Sequence, residues 1–142
     1  MRKTRIRKKR KAVSLRQIAL DVAEDAWKKA IARRAKGICE VHKESCTGEV
    51  MQADHFRSRR HMTTFLMHEN GTLVCSGLNQ NKSMGINHAA EKIAFVVLKR
   101  EGQVMVDFLM SFHPPKKFTV MELENITHEL NGLFQEKGNR TT

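Results

Sequence analysis

The segment from Cys39 to Lys82, CEVHKESCTGEVMQADHFRSRRHMTTFLMHENGTLVCSGLNQNK, decides the fold of this 142-residue chain. Two short apolar runs within it are bounded by polar loops, a pattern typical of two strands joined as a hairpin. The residues after the second run suit a helix. The predicted elements are a strand over 49–53 that delivers Asp54 and His55 at its end, a turn at Asn70-Gly71, a strand over 72–75 and a helix that opens between Gly77 and Lys82.

The polar residues of this segment suit the hydrolysis of a phosphodiester. A neutral imidazole has a pKa near the working pH and can take a proton from an attacking water, so His55 is the candidate base. The leaving oxygen develops negative charge on the opposite side, where a hard cation with oxygen ligands would stabilise it. Asp54 and Asn79 offer such oxygens, and Mg²⁺ or Mn²⁺ is the expected catalytic ion. Asn70 is predicted to hold the imidazole in one orientation and tautomer.

The three cysteines are an odd number, so a disulfide framework is not expected. Tetrahedral zinc takes four thiolate or imidazole ligands. Cys39 and His42 have the spacing of a metal knuckle, and Cys46 and Cys75 complete a set of four. These residues are therefore a candidate structural zinc site. The alternative is that zinc is absent and the cysteines are small core residues.

Amphipathic helices are predicted on both sides of the central segment. The first runs from an N-cap at Ser14 to about Lys36, and two more are separated by Gly102. A capping box marks the start of the last helix. The residues predicted to be buried are Leu15, Ile18, Val22, Ala26 and Ala30 in the first helix, Ile93, Val96, Val97, Met105, Phe108, Leu109 and Phe112 in the middle pair, and Leu123, Ile126, Leu130 and Phe134 after the Thr119-x-x-Glu122 box.

The formal net charge is +11, and most of the excess lies at the N-terminus, where residues 1–16 contain nine lysines and arginines and no acid. Such a block repels itself, so residues 1–13 are expected to be disordered when free. Against a polyanion it gains affinity by counterion release; the alternative is a solubilising end. The residues predicted to contact DNA are Arg5, Arg7, Lys8, Lys9, Arg10 and Lys11, together with Arg57, Arg59, Arg60 and Lys82 near the candidate site.

Several motifs resemble one nuclease family. The run Cys75-x-x-Leu78-Asn-Gln-Asn-Lys-Ser is similar to a C-x-x-C-N-Q-H-K-S segment of the phage NinG/Rap recombination endonucleases, members of the HNH (ββα-metal) superfamily. REGQVMVDFL at 100–109 and KKFTVMEL at 116–123 resemble later segments of the same family. Leu78 stands where the family has a cysteine. The resemblance extends from about Ser14 to Phe134.

The resemblance implies a metal-dependent DNA endonuclease, encoded by a phage or prophage and acting on branched DNA such as junctions, D-loops or flaps in the bacterial cytoplasm. The predicted fold is α+β: a single HNH domain over 14–137, with its ββα core at about 38–90 and C-terminal helices at about 88–135. Those helices pack on the core or form a homodimer face, and no membrane partner is expected. The alternatives are a non-catalytic zinc-stapled DNA-binding module and a site-specific HNH nuclease of the homing or packaging type.

Overall fold

The computed structural model describes residues 11–46 and 50–136, which form an α+β fold with six α-helices and a two-stranded antiparallel sheet. The predicted fold class is confirmed at this level. The elements in chain order are α1 (Leu15–Arg34), a 3-10 turn (Lys43–Ser45), β1 (Met51–His55), α2 (Met62–Phe65), a 3-10 turn (His68–Asn70), β2 (Gly71–Cys75), α3 (Ser76–Met84), α4 (Ala89–Glu101), α5 (Gln103–Met110) and α6 (Val120–Gly132).

At the end of the β1–β2 hairpin where the 3-10 turn His68–Asn70 leads into β2, the sheet carries the two candidate residues of β1. Asp54 pairs with Thr72 and His55 pairs with Gly71, so both candidate residues lie within β1 rather than after it. The strand begins two residues later than predicted. Because successive side chains on a strand point to opposite faces, His55 faces α1 whereas Asp54 faces α3. No third strand borders β1 within the described part of the chain.

Helix α1 begins as predicted, because the Ser14 hydroxyl accepts a hydrogen bond from the Gln17 backbone N–H at 3.1 Å. Its second half is buried, but the prediction of a buried stripe is wrong for the first half. Leu15, Ile18 and Val22 are 78%, 49% and 52% exposed. Helix α6 explains the difference, since it packs along α1 and has 13 residues against the 20 of α1.

Apolar cores lie on both sides of the hairpin. On the α1 side, Trp27 and Ile31 pack with Phe65 and with residues of α6. Gly71 lies so close to this core that a Cβ atom there would approach Ile31 Cδ1 to 2.5 Å, so only glycine fits. On the other side, the buried residues include Cys39, Val74, Cys75, Leu78, Ile93, Val97 and Leu109.

The C-terminal helices follow the predicted boundaries. Gly102 separates α4 from α5 with φ of 84°, and Thr119 and Glu122 form the predicted capping box. The predicted burial is wrong for three phenylalanines: Phe108 is 43% exposed, Phe112 is 87% exposed and Phe134 is 37% exposed. Over the described ranges, no helix is both long and apolar enough to cross a bilayer.

Candidate active site and metal centre

The His55 imidazole lies between two aromatic rings. The ring of Trp27, from α1, stacks on it at a centroid distance of 4.0 Å and an interplanar angle of 5°. The ring of Phe65, from α2, stacks on the other side at 5.0 Å and 10°. The single tryptophan of the chain thus fixes the plane of the imidazole rather than filling the core alone.

A hydrogen bond selects the tautomer of His55. Its Nε2 lies 3.0 Å from the backbone carbonyl oxygen of Phe65. Because a carbonyl only accepts hydrogen bonds, Nε2 must carry the proton, and the neutral ring then has an unprotonated Nδ1. In residues 11–46 and 50–136, no protein group donates a hydrogen bond to Nδ1. The arrangement leaves one ring nitrogen able to accept a proton.

Burial between the two rings lowers the pKa of His55 from its ordinary 6.5 to about 4. The hydrogen bond to Phe65 and the Glu24 carboxylate favour the protonated ring, but less strongly than burial opposes it. The imidazole is therefore neutral at neutral pH.

This lowered pKa has a measurable effect on stability. Between the unfolded pKa of 6.5 and the folded value of about 4, the unfolded chain binds a proton that the folded chain excludes, so acidification favours unfolding. Lowering the pH from about 7.5 to about 5 should cost the wild type up to about 2 kcal/mol more than a His55→Gln variant. Urea unfolding of both proteins at both pH values measures the difference. Equal pH dependence would show that His55 titrates normally in the fold.

Asn70 is fully buried and holds the loop that follows β1. Its Oδ1 accepts a hydrogen bond from the Arg57 N–H at 2.6 Å, and its Nδ2 donates to the carbonyl oxygens of Arg57 and Thr64, both at 3.1 Å. The prediction that Asn70 touches the imidazole is therefore wrong. Both Nδ2 protons are donated to loop carbonyl groups, so the side chain has no proton left to donate to the imidazole Nδ1. Its influence on His55 is indirect, through the loop that presents Phe65.

Asp54 lies on the opposite face of β1, against α3. Its Oδ2 forms an ion pair with Lys82 Nζ at 2.6 Å, and the same ammonium donates to the His55 carbonyl oxygen at 2.9 Å. Burial raises the pKa of the Asp54 carboxyl above its ordinary 3.8 by more than Lys82 lowers it. One turn before Lys82, Asn79 donates from Nδ2 to Gln52 Oε1 at 2.8 Å. The amide oxygen of Asn79 therefore stays available to another partner.

Basic side chains surround this end of the hairpin. Arg59 pairs with Glu24 at 3.1 Å and lies over the Phe65 ring at 5.5 Å, whereas Arg60 is exposed. The Arg57 guanidinium makes one weak contact, from Nη1 to Met110 Sδ at 3.8 Å. Lys82, predicted to contact phosphate, is paired with Asp54. Of the basic tail, Lys11 is exposed, and Arg5, Arg7, Lys8, Lys9 and Arg10 lie outside the described residues.

Two arginines clamp the turn that leads into β2. Arg34 of α1 and Arg100 of α4 both donate to the Gly71 carbonyl oxygen, at 2.7 and 2.8 Å. Both also pair with Glu40 at 3.0 Å, and Glu40 accepts a hydrogen bond from the Leu73 N–H. This network fixes the position of β2 opposite His55.

The predicted cysteine and histidine set is assembled in the fold. The ligand atoms of Cys39, His42, Cys46 and Cys75 all lie within 4.8 Å of one another, so the group could hold a metal ion. His42 Nδ1 lies 3.4 Å from Cys75 Sγ. A tetrahedral zinc ion with usual bond lengths separates nitrogen and sulfur ligands by about 3.5 Å, which matches. Leu78 is buried beside the cluster, and His42 and Cys46 occupy the remaining ligand positions.

The thiols of this cluster differ in acidity. Burial, together with the neighbouring sulfur atoms of Cys39 and Cys46, raises the pKa of Cys75 to about 11. At Cys39, burial also raises the pKa, but hydrogen bonds led by the His42 backbone N–H outweigh it, so the pKa is lowered. Three thiols this close oppose one another's ionisation unless a cation lies between them. None of the three is in a disulfide.

Some residues of the candidate site were not found from the sequence. Phe65 and Gln52 contact the proposed catalytic groups, and Glu24 organises the basic side chains near them. No motif or spacing marks these three, because each acts through tertiary contact with a distant element.

No known relative identifies the chain. Comparisons with protein-family models, with curated proteins and with solved structures find no match.

Proposed function

We propose that this protein is a metal-dependent DNA endonuclease of the HNH type. The observation that carries the proposal is the His55 ring, held in one plane and one tautomer with Nδ1 unprotonated, directly beside an acidic residue on the same strand. Nδ1 is the atom that would take the proton from the attacking water.

The side chains of Asp54 and His55 point to opposite faces of β1, an arrangement that suits in-line displacement at phosphorus. The base must act on the side of the phosphorus where water attacks, and the cation must stabilise the leaving oxygen on the other side. Adjacent residues at the end of a strand point to opposite faces, so a phosphate at that end would lie between them. The order β1, β2, α3, with α3 packed on the hairpin, agrees with a ββα unit.

A His55 pKa of about 4 makes a weak base in the DNA-free protein. A bound phosphate would change this, because its negative charge near the ring favours the imidazolium form. Lys82 and Arg59, which both disfavour protonation of His55, would then pair with phosphate oxygens. The base would thus gain strength when the substrate is in place.

The catalytic ion of this proposal is magnesium or manganese. Asp54 and Asn79 would hold it with hard oxygen atoms, and both side chains contact groups at the same interface between β1 and α3. The ion, when bound, would stabilise charge on the leaving oxygen. Lys82 would give up its contact with Asp54 and turn to a substrate phosphate.

The residues also fit a structural zinc ion. Cys39, His42, Cys46 and Cys75 provide the donor atoms and spacing of a closed tetrahedral site. Cys75 is the last residue of β2, and Cys39 precedes Glu40, whose N–H donates to the Leu73 carbonyl oxygen of the same strand. A zinc ion there would hold the hairpin against the preceding loop.

The cellular role follows from the resemblance to NinG/Rap endonucleases. Phage or prophage recombination, branched DNA as substrate and a homodimer through the C-terminal helices are all parts of this proposal. A non-catalytic zinc-stapled DNA-binding module is the second candidate, and the Cys/His cluster favours it as much as it favours a nuclease.

One experiment separates the candidates. Purified protein is incubated with labelled duplex, flap and four-way junction DNA, with Mg²⁺, Mn²⁺ or no divalent ion. The nuclease proposal requires metal-dependent cleavage of at least one substrate, with branched DNA cut fastest. Binding without cleavage under every condition would instead establish the binding module.

A further inference from the structure

A groove runs along the open edge of β1. It has a volume of about 570 Å³ and lies between α1 and the start of α3. Asn79 forms part of its lining, so the groove begins beside the proposed catalytic residues and extends away from them along the strand.

The walls of the groove differ in chemistry. Lys28 and Lys29 line the side formed by α1, while Met51 and Ala53 form an apolar floor. The amide pair of Asn79 and Gln52 closes the α3 side. Among the residues that the structure describes, none with a carboxylate lines this groove.

Both lysines are available to a ligand. Lys28 lies 3.5 Å from Glu24 and Lys29 lies 2.8 Å from Asp25, and the two lysine side chains are 54% and 65% exposed. The Asp25 side chain is 61% exposed, and Glu24, which is 13% exposed, also pairs with Arg59. Ion pairs of exposed lysines one turn apart contribute little to stability, because water and salt screen them. A polyanion can therefore replace these partners at little cost.

A second groove provides a contrast. It is larger, about 770 Å³, and lies between α4 and the loop after α1. Its lining contains Lys43, Lys92, Lys99 and Arg100, but also the carboxylates of Glu40 and Glu91. A polyanion would meet carboxylates there, and none of the proposed catalytic residues borders that groove.

We infer that the β1-edge groove binds the sugar–phosphate backbone of the DNA strand next to the scissile phosphate. The inference rests on the proposed function and assigns a path to its substrate. Lys28 and Lys29 contact successive phosphates, the apolar floor lies under the deoxyribose, and the two amides border the phosphate nearest the metal ligands. Such contacts position the strand without selecting a sequence.

The test compares two double variants with equal loss of charge. Lys28→Gln/Lys29→Gln removes the groove lysines, and Lys92→Gln/Lys99→Gln removes two lysines from the second groove. All four are exposed surface residues, so folding should be kept, and melting curves verify it. Affinity for a labelled duplex is measured by fluorescence anisotropy over a salt series, in a His55→Ala background that prevents cutting.

The groove variant should weaken binding by about tenfold at low salt and reduce the slope of log affinity against log salt by about 1 to 2, since each phosphate contact contributes about 0.9. The control variant should keep the slope of the parent. An unchanged slope in the groove variant, or equal changes in both variants, would overturn the inference.

The outcome is independent of whether the protein cuts DNA. If only the Lys28→Gln/Lys29→Gln variant changes the salt slope and the wild type does not cut DNA, the groove binds DNA but the proposed nuclease function is wrong. If the wild type cuts DNA and both double variants have the salt slope of the parent, the nuclease function is supported but the assignment of the groove is wrong.

Discussion

Replacing His55 with alanine is expected to lower the rate of DNA cleavage by roughly 10²- to 10⁴-fold, the usual contribution of a general base. Affinity for DNA should stay close to that of the wild type, because the imidazole carries no charge at neutral pH and supplies no phosphate contact. Single-turnover cleavage and anisotropy binding on the same labelled DNA measure the two effects.

Two sets of controls separate chemistry from folding. His55→Ala leaves space between the rings of Trp27 and Phe65, so His55→Gln is measured beside it; glutamine can still donate to the Phe65 carbonyl but is not a base. Asp54→Asn and Asn79→Ala should lose cleavage but regain part of it at high Mg²⁺, since each weakens one oxygen ligand. If a folded His55→Gln protein cleaved DNA at the wild-type rate, His55 would not be the general base.

Sequence patterns predicted the candidate site where chemistry depends on residue type and spacing. Asp54 and His55 were found from the local order of acid and imidazole, and the four metal-binding residues from knuckle spacing and strand ends. Both rest on short-range geometry: a hairpin brings its ends together, and Cys39 precedes His42 by less than one turn.

The environment of the base could not be predicted in the same way. Trp27 is on α1 and Phe65 on α2, and their position around His55 depends on how both helices pack against the hairpin. The role predicted for Asn70 was wrong. Its spacing in the sequence suggested a contact with His55, but its side-chain amide forms hydrogen bonds with the backbone of Arg57.

The exposed first half of α1 shows a second limit of prediction from sequence. A stripe of apolar residues predicts a buried face but not its length, because burial also needs a neighbour that extends as far. Within residues 11–46 and 50–136, such a neighbour covers only the second half of α1, so Leu15 and Ile18 are exposed although they continue the pattern.

The purified protein is expected to contain one zinc ion per chain, and Cys39→Ser should remove the ion and unfold the domain. Zinc bound by such sites contributes roughly 10 to 16 kcal/mol in small modules, comparable to or larger than the whole stability of most domains, about 5 to 15 kcal/mol. Cys39 and Cys75 belong to the buried core on one side of the hairpin, so loss of the ion would loosen that core directly. Elemental analysis after exhaustive dialysis and thermal unfolding of both proteins measure the content and the effect.

Matched variants show whether zinc, rather than thiol packing, is responsible. His42→Cys should keep both zinc and fold, because four thiolates hold zinc as well as three thiolates and an imidazole do. Asp54→Ala should also keep one zinc per chain, since Asp54 faces α3 at the other end of β1. If the cysteines are only small core residues, Cys39→Ser will cost a few kcal/mol as a buried polar substitution, chelators will leave the melting temperature unchanged, and dialysed protein will be folded without zinc. The two accounts thus differ most in the response of the wild type to a chelator, because a core of thiols contains nothing for the chelator to remove.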